Sequence, residues 1–545
     1  GKHIMPNFQN HFNQELKKIV LQQMLIDAGA ELVFESMVSG VETEFIKSNL
    51  PVANDSKTRK IIKSVIATGP TGQANYSANI FIDSTGDADI AAMAGAEFIF
   101  GRASDGLPHA YSQSSCYLKE QENKEIVLKH HNFDAGYCDP SNPVDLTRAR
   151  IEGLKQYFRE KFTQNDRLLF FADILGLRNS RLIKGEYTIS FGDIIAGREF
   201  PDVIAYSYSH YDNHAFDYEN ESPEAMLWTW VLGNFRTQIG CEVPYRSLLP
   251  VGIQNLIIAC RALSVDFDGH NQLRMQRDMQ RIGEVAGIAA AMASSDAIPP
   301  ININISKLQQ KLFQTGALLS PDTSYHCNHW KPKELFSNSL EKRIAEDKNT
   351  EKTDWLLKNF FDETELLSKM NSEDPKEGMK ASLLLAVTGN KSALEKLLQI
   401  IKEKSDIKPD GDKTVPFWKP AIAILGWNKC QEACPLLENI LLDLKSDRAS
   451  LILALNALGN IGNRKSVSTI QKMLERKDIP EIHYLQKSVG DMKSVKENAL
   501  WQIELCAVAN LAKLGFSDKK RAEKYLSDNR ALVRKQAMKV LSEIA

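Results

Sequence analysis

The spacing of apolar residues changes several times along the first third of the chain. Phe12, Leu16, Ile19, Val20 and Leu25 recur at helical intervals, and Gly29 stands where a helix closes on a left-handed residue before the extended run ELVFESMVSGVE. After the polar insertion SNLPVANDSKTRK, two extended runs, Ile61 to Ala67 and Tyr76 to Ile82, predict strands joined by a hairpin turn around GPTG. The second run leads into DSTGDADIAAMAGA. There Gly86 permits a tight turn, and the small residues from Ala88 to Ala96 suit a helix lying close on a sheet. From about Gly101 to Glu242 the pattern turns irregular and richer in aromatics and histidines, with strand-like pieces GEYTISF and VIAYSYSHY. Val243 to Leu249 and Asn255 to Cys260 return to the earlier pattern, and the Ala/Gly density of Met279 to Ala293 predicts a tightly packed helix. Pro299 and Pro300 end that unit. Ser306 with Gln309 forms a capping-box signature for a helix that closes at Gly316.

Beyond a polar, charged linker the pattern becomes purely helical and repeats. LLLAVTGNKSALEKLL, AIAILGWNKCQEACPLL, ALNALGNIGNRKSVSTIQKML and VANLAKLGFSDKKRAEKYL each carry an apolar helix, a glycine break and a second amphipathic helix. The glycines Gly389, Gly426, Gly459 and Gly515 lie 33 to 56 residues apart, the widest gap holding the insertion HYLQKSVGDMKSVKENAL. Helix pairs at such a period stack into an α-solenoid, because one pair alone cannot bury its apolar face.

Composition narrows the class. With 545 residues, 43% hydrophobic and 25% charged, the chain is a multidomain globular protein. A net charge of −2 gives no electrostatic case for nucleic acid or an anionic membrane surface, and no apolar run is long enough to span a bilayer. The eight cysteines form no short-spaced framework. Gly1 in place of an initiator methionine reads as a cleavage scar, so the native start is expected elsewhere and the compartment is unreadable.

Two segments carry chemistry. DSTGDAD, Asp83 to Asp89, puts a glycine turn and backbone N–H groups at a helix start, where an anionic group can approach; taken alone, it reads as a capped turn. NLIIACRALSVDFDGHNQLRMQRDMQRIGEVAGIAAAMA delivers Arg261 from an apolar strand to a loop holding Asp266, Asp268, His270 and Asn271, ahead of a glycine-rich helix. Together they resemble the FAD-dependent oxidoreductase family related to the glutathione-reductase type of flavoprotein. The family's TGD turn matches Thr85, Gly86 and Asp87. Its late motif matches Cys260-Arg261, Arg274-Met275 and Gly283-Glu284-Val285-Ala286-Gly287, and GLRNSRLIKGEY resembles its LRESRRIxGxY segment. The resemblance covers about Phe12 to Leu319, with its motifs in order.

That resemblance, together with the repeated helix pairs, which resemble HEAT-type repeats, implies α/β plus all-α architecture. It consists of an incomplete FAD/NAD(P)-binding (Rossmann-like) domain with an inserted α+β cap, followed by an α-solenoid of HEAT-like repeats. The boundaries are 1–100 for a partial FAD-binding domain, 101–242 for the cap or substrate domain, 243–320 for the return of the FAD-binding domain, 321–353 for the linker and 354–545 for the repeats. It also implies Val38 near the adenine, Thr85, Gly86 and Asp87 near the pyrophosphate or ribityl chain, and Arg261, Arg274, Met275 and Gly283 toward the flavin. The chain departs from the family in lacking GxGxxG and the acidic ribose ligand, and in carrying Cys260 and Asn179 where glycine and glutamate are usual. FAD is the implied cofactor, and this chain alone is expected to bind it weakly or not at all.

Candidate catalytic residues are His270, His214 and Arg274, with His210 as a further acid/base candidate. Arg178, Arg181 and Tyr187 could meet an anionic substrate, although such arginines more often form structural ion pairs. Arg277 reads as a surface ion-pair residue. His326 and His329 lack a second ligand pair, Cys430 and Cys434 read as core thiols and Trp228 and Trp230 as core, so no metal site is expected. The expected activity is hydride transfer from a small organic or carbohydrate-like substrate to flavin, impaired by the missing fingerprint. The alternative is a flavin-free scaffold that meets a protein partner on its helical repeats.

Overall fold

The computed structural model describes residues 14–47, 58–160, 165–318, 363–484 and 496–544. Helix α1 (Gln14–Asp27) ends at Gly29, whose φ of 73° is left-handed. Strand β1 (Met37–Lys47) pairs antiparallel with β2 (Thr58–Gly69), which turns at Gly69/Gly72 into β3 (Gly72–Tyr76). The run from Tyr76 to Ile82 is therefore not one strand. β3 ends at Tyr76, and β4 (Phe81–Asp83) belongs to a second sheet, where it pairs in parallel with β12 (Leu256–Ile258). Asn255 makes this switch. Its amide accepts from Ile62 N at 2.8 Å and donates to Ile62 O at 2.9 Å, while its own carbonyl takes Phe81 N at 2.9 Å.

α2 (Asp89–Met93) follows β4, and β5 (Phe98–Phe100) pairs with β9 (Arg181–Ile183). Between them, β6 (Tyr111–Glu120) runs between β7 (Ile126–Gly136) and β8 (Asp166–Phe171), with α3 (Pro143–Glu160) packed on β6 and β7. GEYTISF forms only isolated bridges at Gly185 and Ile189 before α4 (Phe191–Ala196). The strand expected at VIAYSYSHY is β10 (Val203–His210), paired with β11 (Gln238–Pro244). α5 (Pro223–Met226) runs into a π-helical turn, Leu227–Val231, that buries Trp228 and Trp230 at 0% and 1% exposure. α6 (His270–Leu273), α7 (Gln276–Ser295) and α8 (Ile305–Thr315) complete this part. α8 closes at Gly316, but its cap is Asn304, which accepts from Lys307 N at 3.0 Å, rather than Ser306.

The C-terminal region is helical apart from one hairpin. α9 (Glu363–Lys369), α10 (Pro375–Val387), α11 (Lys391–Glu403), α12 (Trp418–Trp427), α13 (Cys434–Leu442), α14 (Arg448–Ile461) and α15 (Val467–Leu474) precede the short hairpin of β13 (Ile482–Tyr484) and β14 (Lys496–Asn498). α16 (Leu500–Lys513), α17 (Lys519–Glu523) and α18 (Ala531–Glu543) follow. α10, α12, α14 and α16 pack in one row, and α11, α13 and α15 in another. The four repeat glycines have two different jobs. Gly389 and Gly515 are left-handed helix ends, at φ 81° and 84°, whereas Gly426 and Gly459 lie inside helices at close crossings. A Cβ on Gly426 would sit 2.6 Å from Ala457 Cα.

The helical region is not a separate bead. One apolar core is continuous from Ile62 to Leu514, and a second joins Tyr111 and Ala149 to Trp501, Leu532 and Val540. Between them lies a buried ionic junction. Arg102 contacts Asp105 (2.7 Å), Asp217 (2.5 Å) and Glu221 (2.7 Å), and Gln502 donates to Asp105 at 2.7 Å. Arg448 bridges Gln502 at 2.5 Å and Glu219 at 2.8 Å.

Candidate functional site

Strand β4 ends at Asp83, which is fully buried. Its carboxylate accepts from Thr85 N (3.0 Å), Thr85 Oγ1 (2.7 Å) and Ala91 N (2.9 Å). Three donors on one buried charge tie the strand end to the start of α2 and shape the turn between them. Gly86 adopts φ 90°, and a Cβ there would lie 2.7 Å from Arg261 Nη1. Because Ile258 pairs with Asp83, Arg261 emerges from β12 beside this turn. Its Nη2 bonds Asp87 Oδ1 at 2.6 Å, and Ser180 Oγ donates to the same oxygen at 2.5 Å. Arg181 holds Asp87 O at 3.0 Å and the Asp89 carboxylate at 2.6 Å. The three separated motifs of the sequence therefore converge on one turn.

Cys260 is buried beside it. Burial pushes its thiol up to about 11, while the backbone N–H groups of Ala262, Gly86 and Ala88 pull the other way. That pKa keeps it a neutral thiol near pH 7.

Next to the turn lies a polar cluster built from several distant parts of the chain. His270, 1% exposed, has Nδ1 3.3 Å from Asn179 Nδ2, and its ring centroid is 6.0 Å from that of His109. Both imidazoles are held well below the usual histidine range. Burial is the main cause, and the Arg274 charge is the strongest electrostatic one for each ring. They are neutral bases at physiological pH. Arg274 Nη2 bonds Asp212 Oδ2 at 2.7 Å, and Arg178 Nη1 bonds Asp134 Oδ1 at 2.9 Å. His214 spans both acids, with Nδ1 2.9 Å from Asp134 and Nε2 3.6 Å from Asp212, and His210 lies 3.4 Å from Asp212. Burial raises the Asp212 carboxyl, but hydrogen bonds from His210 and His214 and the Arg274 charge outweigh it and hold it far below the usual range. From the helical region, Lys413 donates to Asn213 O and, at 2.9 Å, to Ala215 O. Its ammonium lies 4.1 Å from the Phe235 ring centroid, and burial pulls it down to about 8.

The structure thus gathers His270, Arg274 and His214 around His109, and joins Thr85, Gly86, Asp87 and Arg261 next to them. Val38 lies on β1 opposite Ala67, Met275 caps α7, and Gly283 sits on the exposed face of α7. Tyr187 is engaged by Asp193 and Arg198, and Arg277 by Asp278 and the Tyr208 carbonyl. His109 and Lys413 carried no sequence signal. Each sits in a loop without periodicity, and only the fold brings them to the cluster. His326, Cys327 and His329 lie outside the described residues, among which no group of three or more His, Cys, Asp or Glu is arranged to hold a metal. Cys430 and Cys434 are free thiols raised by burial.

The residues present fit part of an FAD cradle. Gly86 leaves no side chain between the turn and Arg261, and Arg261 supplies a guanidinium at the end of β12. The Asp87 carboxylate consumes one edge of that guanidinium, and the chain carries no GxGxxG for the pyrophosphate.

Sequence comparison agrees with this geometry. Residues 2–148 and 112–312 match the family described as FAD dependent oxidoreductase, together more than half of the 545 residues, and the chain belongs to that family. No curated protein gives a significant match. Among solved structures, the complex of CpcE and CpcF of phycocyanin lyase from Nostoc sp. PCC7120 shares 14% identity, over 34% of this chain and 65% of that one, with a TM-score of 0.26. This chain spans just under two thirds of that chain's length, and so low a score carries no argument about fold.

Proposed function

We propose that these 545 residues carry the substrate half of an FAD-dependent oxidoreductase of the glutathione-reductase-like type, with a 101–242 cap and HEAT-like repeats stacked as an α-solenoid. The observation that carries this reading is the junction of Gly86, Asp87 and Arg261, at the ends of two parallel strands, beside a buried cluster of histidines and arginines. Ligands of open α/β sheets bind outside the carboxyl ends of parallel strands. Bound FAD supplies a hydride acceptor at its N5. Arg261 and Arg274 would stabilise negative charge near the flavin, and neutral His270 would accept the proton of a small organic substrate, with His214 as the second candidate.

A glycine fingerprint for the pyrophosphate would fit against a face that is open among the described residues. Among the described residues β4 and β12 form a sheet of two parallel strands, although parallel sheets are normally buried on both faces. On α1, Ile19 is 63% exposed and Met24 61%, and Ile82 of β4 is also open. The same gap makes this chain alone a weak flavin binder. The helical surface that meets the cap is already occupied by Glu219, Asn213 and Ala215, which favours the enzyme over a flavin-free scaffold.

The test is an absorbance spectrum of the purified 545-residue protein titrated with FAD. Substoichiometric binding that Arg261→Ala weakens further supports the reading. A full complement of flavin near about 450 nm in this chain alone would overturn the half-site proposal.

A further inference from the structure

We propose that the cluster around His109 is a carboxylate-binding subsite, which takes a substrate's carboxylate between the His109 imidazole and the Arg274 guanidinium. It rests on the reading above, that the cluster is the substrate end of a flavin site, and deepens it by naming the substrate's chemical class. His109 is 6% exposed, yet neither ring nitrogen has a hydrogen-bond partner among the described residues. A buried polar atom without a partner costs free energy, so two on one ring mark a place where a partner comes from outside. Phe267 lies against the ring with centroids 5.0 Å apart and contributes no polar atom to it. Arg274 is in the same condition: Nη2 is taken by Asp212, while its Nε–H is buried without an acceptor.

Charge points the same way. Arg178, Arg274 and Lys413 bring three cationic groups to the carboxylates of Asp134 and Asp212, while burial keeps His109 and His270 neutral. A carboxylate brings one negative charge and two oxygens, matching one guanidinium N–H and one imidazole N–H. A phosphate, with three acceptor oxygens and a charge of about −1.5 to −2, exceeds both. The second His109 nitrogen is then an acceptor, placed for a hydroxyl or amine of the same substrate.

The experiment is calorimetric titration of the flavin-free 545-residue protein with sodium acetate, and separately with inorganic phosphate, at pH 7 and matched ionic strength. Imidazole nitrogen NMR follows His109. Saturable acetate binding that shifts the His109 signals, weakens roughly tenfold or more in His109→Gln and Arg274→Gln, and partly recovers in Arg274→Lys supports the subsite. Thermal melts of each variant check folding, and Arg274→Lys retains the charge should Arg274→Gln unfold. Absence of saturable binding, binding unchanged in both variants, or phosphate bound more tightly than acetate overturns it. Flavin binding, read by absorbance on the same preparations, is independent, so loss of the subsite leaves the flavin reading standing.

Discussion

Replacing Arg102 with methionine should strip the charge from the junction that joins the helical region to the rest of the molecule. Arg102 is 5% exposed and contacts three carboxylates, those of Asp105, Asp217 and Glu221, at 2.5 to 2.7 Å. Arg448 is the other cation and meets Glu219, so four acids face two arginines. The imbalance shows in the acids. Burial pushes Glu221 up to about 8 and Glu219 up to about 7, against the pull of Arg102 and Arg448. Removing one partner of a buried pair costs about 3–5 kcal/mol, because the remaining charge is stranded. Methionine fills the space but leaves three acids with no cation, and they can stay buried only by binding protons.

The loss should therefore depend on pH. A carboxyl whose folded pKa is raised contributes stability that is full below its unfolded value near 4.5 and disappears as pH rises through 7 to 8. Arg102→Met raises those folded values further, so the destabilisation should approach about 3–5 kcal/mol at pH 8.5 and be clearly smaller at pH 5.5. Guanidinium denaturation of both proteins at the two pH values, followed by circular dichroism, measures it. An equal loss at both pH values, or one below about 1 kcal/mol at pH 8.5, would refute the reasoning.

Three further outcomes follow from the same contacts. The unaltered protein should itself lose stability between pH 6 and 9 as Glu219, Glu221 and Asp268, all raised by burial to about 7 or 8, ionise in place; melting temperature across that range checks it, and a flat profile would contradict it. Gly86→Ala should cost about 1–2 kcal/mol for its left-handed backbone and displace Arg261 from Asp87, so a melt unchanged from the parent would count against the crowded turn. Lys413→Met removes the donor to Asn213 O and Ala215 O while keeping an apolar stem among the aromatic rings. Hydrogen exchange should quicken at 213–216, with the helices around Leu425 and Leu455 still protected.

Much of this was legible along the chain. The Asp83–Asp89 turn showed in its glycine and small residues, and the helical region in its 3.6-residue period. What escaped depends on contacts between distant segments. The switch of β4 out of the β2–β3 hairpin is set by the amide of Asn255, some 170 residues away in sequence. Gly426 and Gly459 look like helix breaks, but they are needed where α12 crosses α14 and α14 crosses α16; the breaks fall at Asn428 and Gly462. Trp228 and Trp230, two residues apart, fit either strand alternation or a helix turn, and tertiary packing settles them in a buried π-helical turn, as the core reading expects. His109, Lys413 and the Arg102 junction have no local pattern. They matter only because segments far apart in sequence meet at each of these places.

The most direct measurement is flavin stoichiometry by absorbance, made on the 545-residue protein and on the same chain joined to a preceding segment that carries a glycine fingerprint. The half-site account predicts little bound FAD in the first, about one per chain in the second, and at least roughly tenfold weaker binding when Arg261→Ala is introduced into the second. Stoichiometric FAD in the 545 residues alone, or full affinity without Arg261, would contradict it.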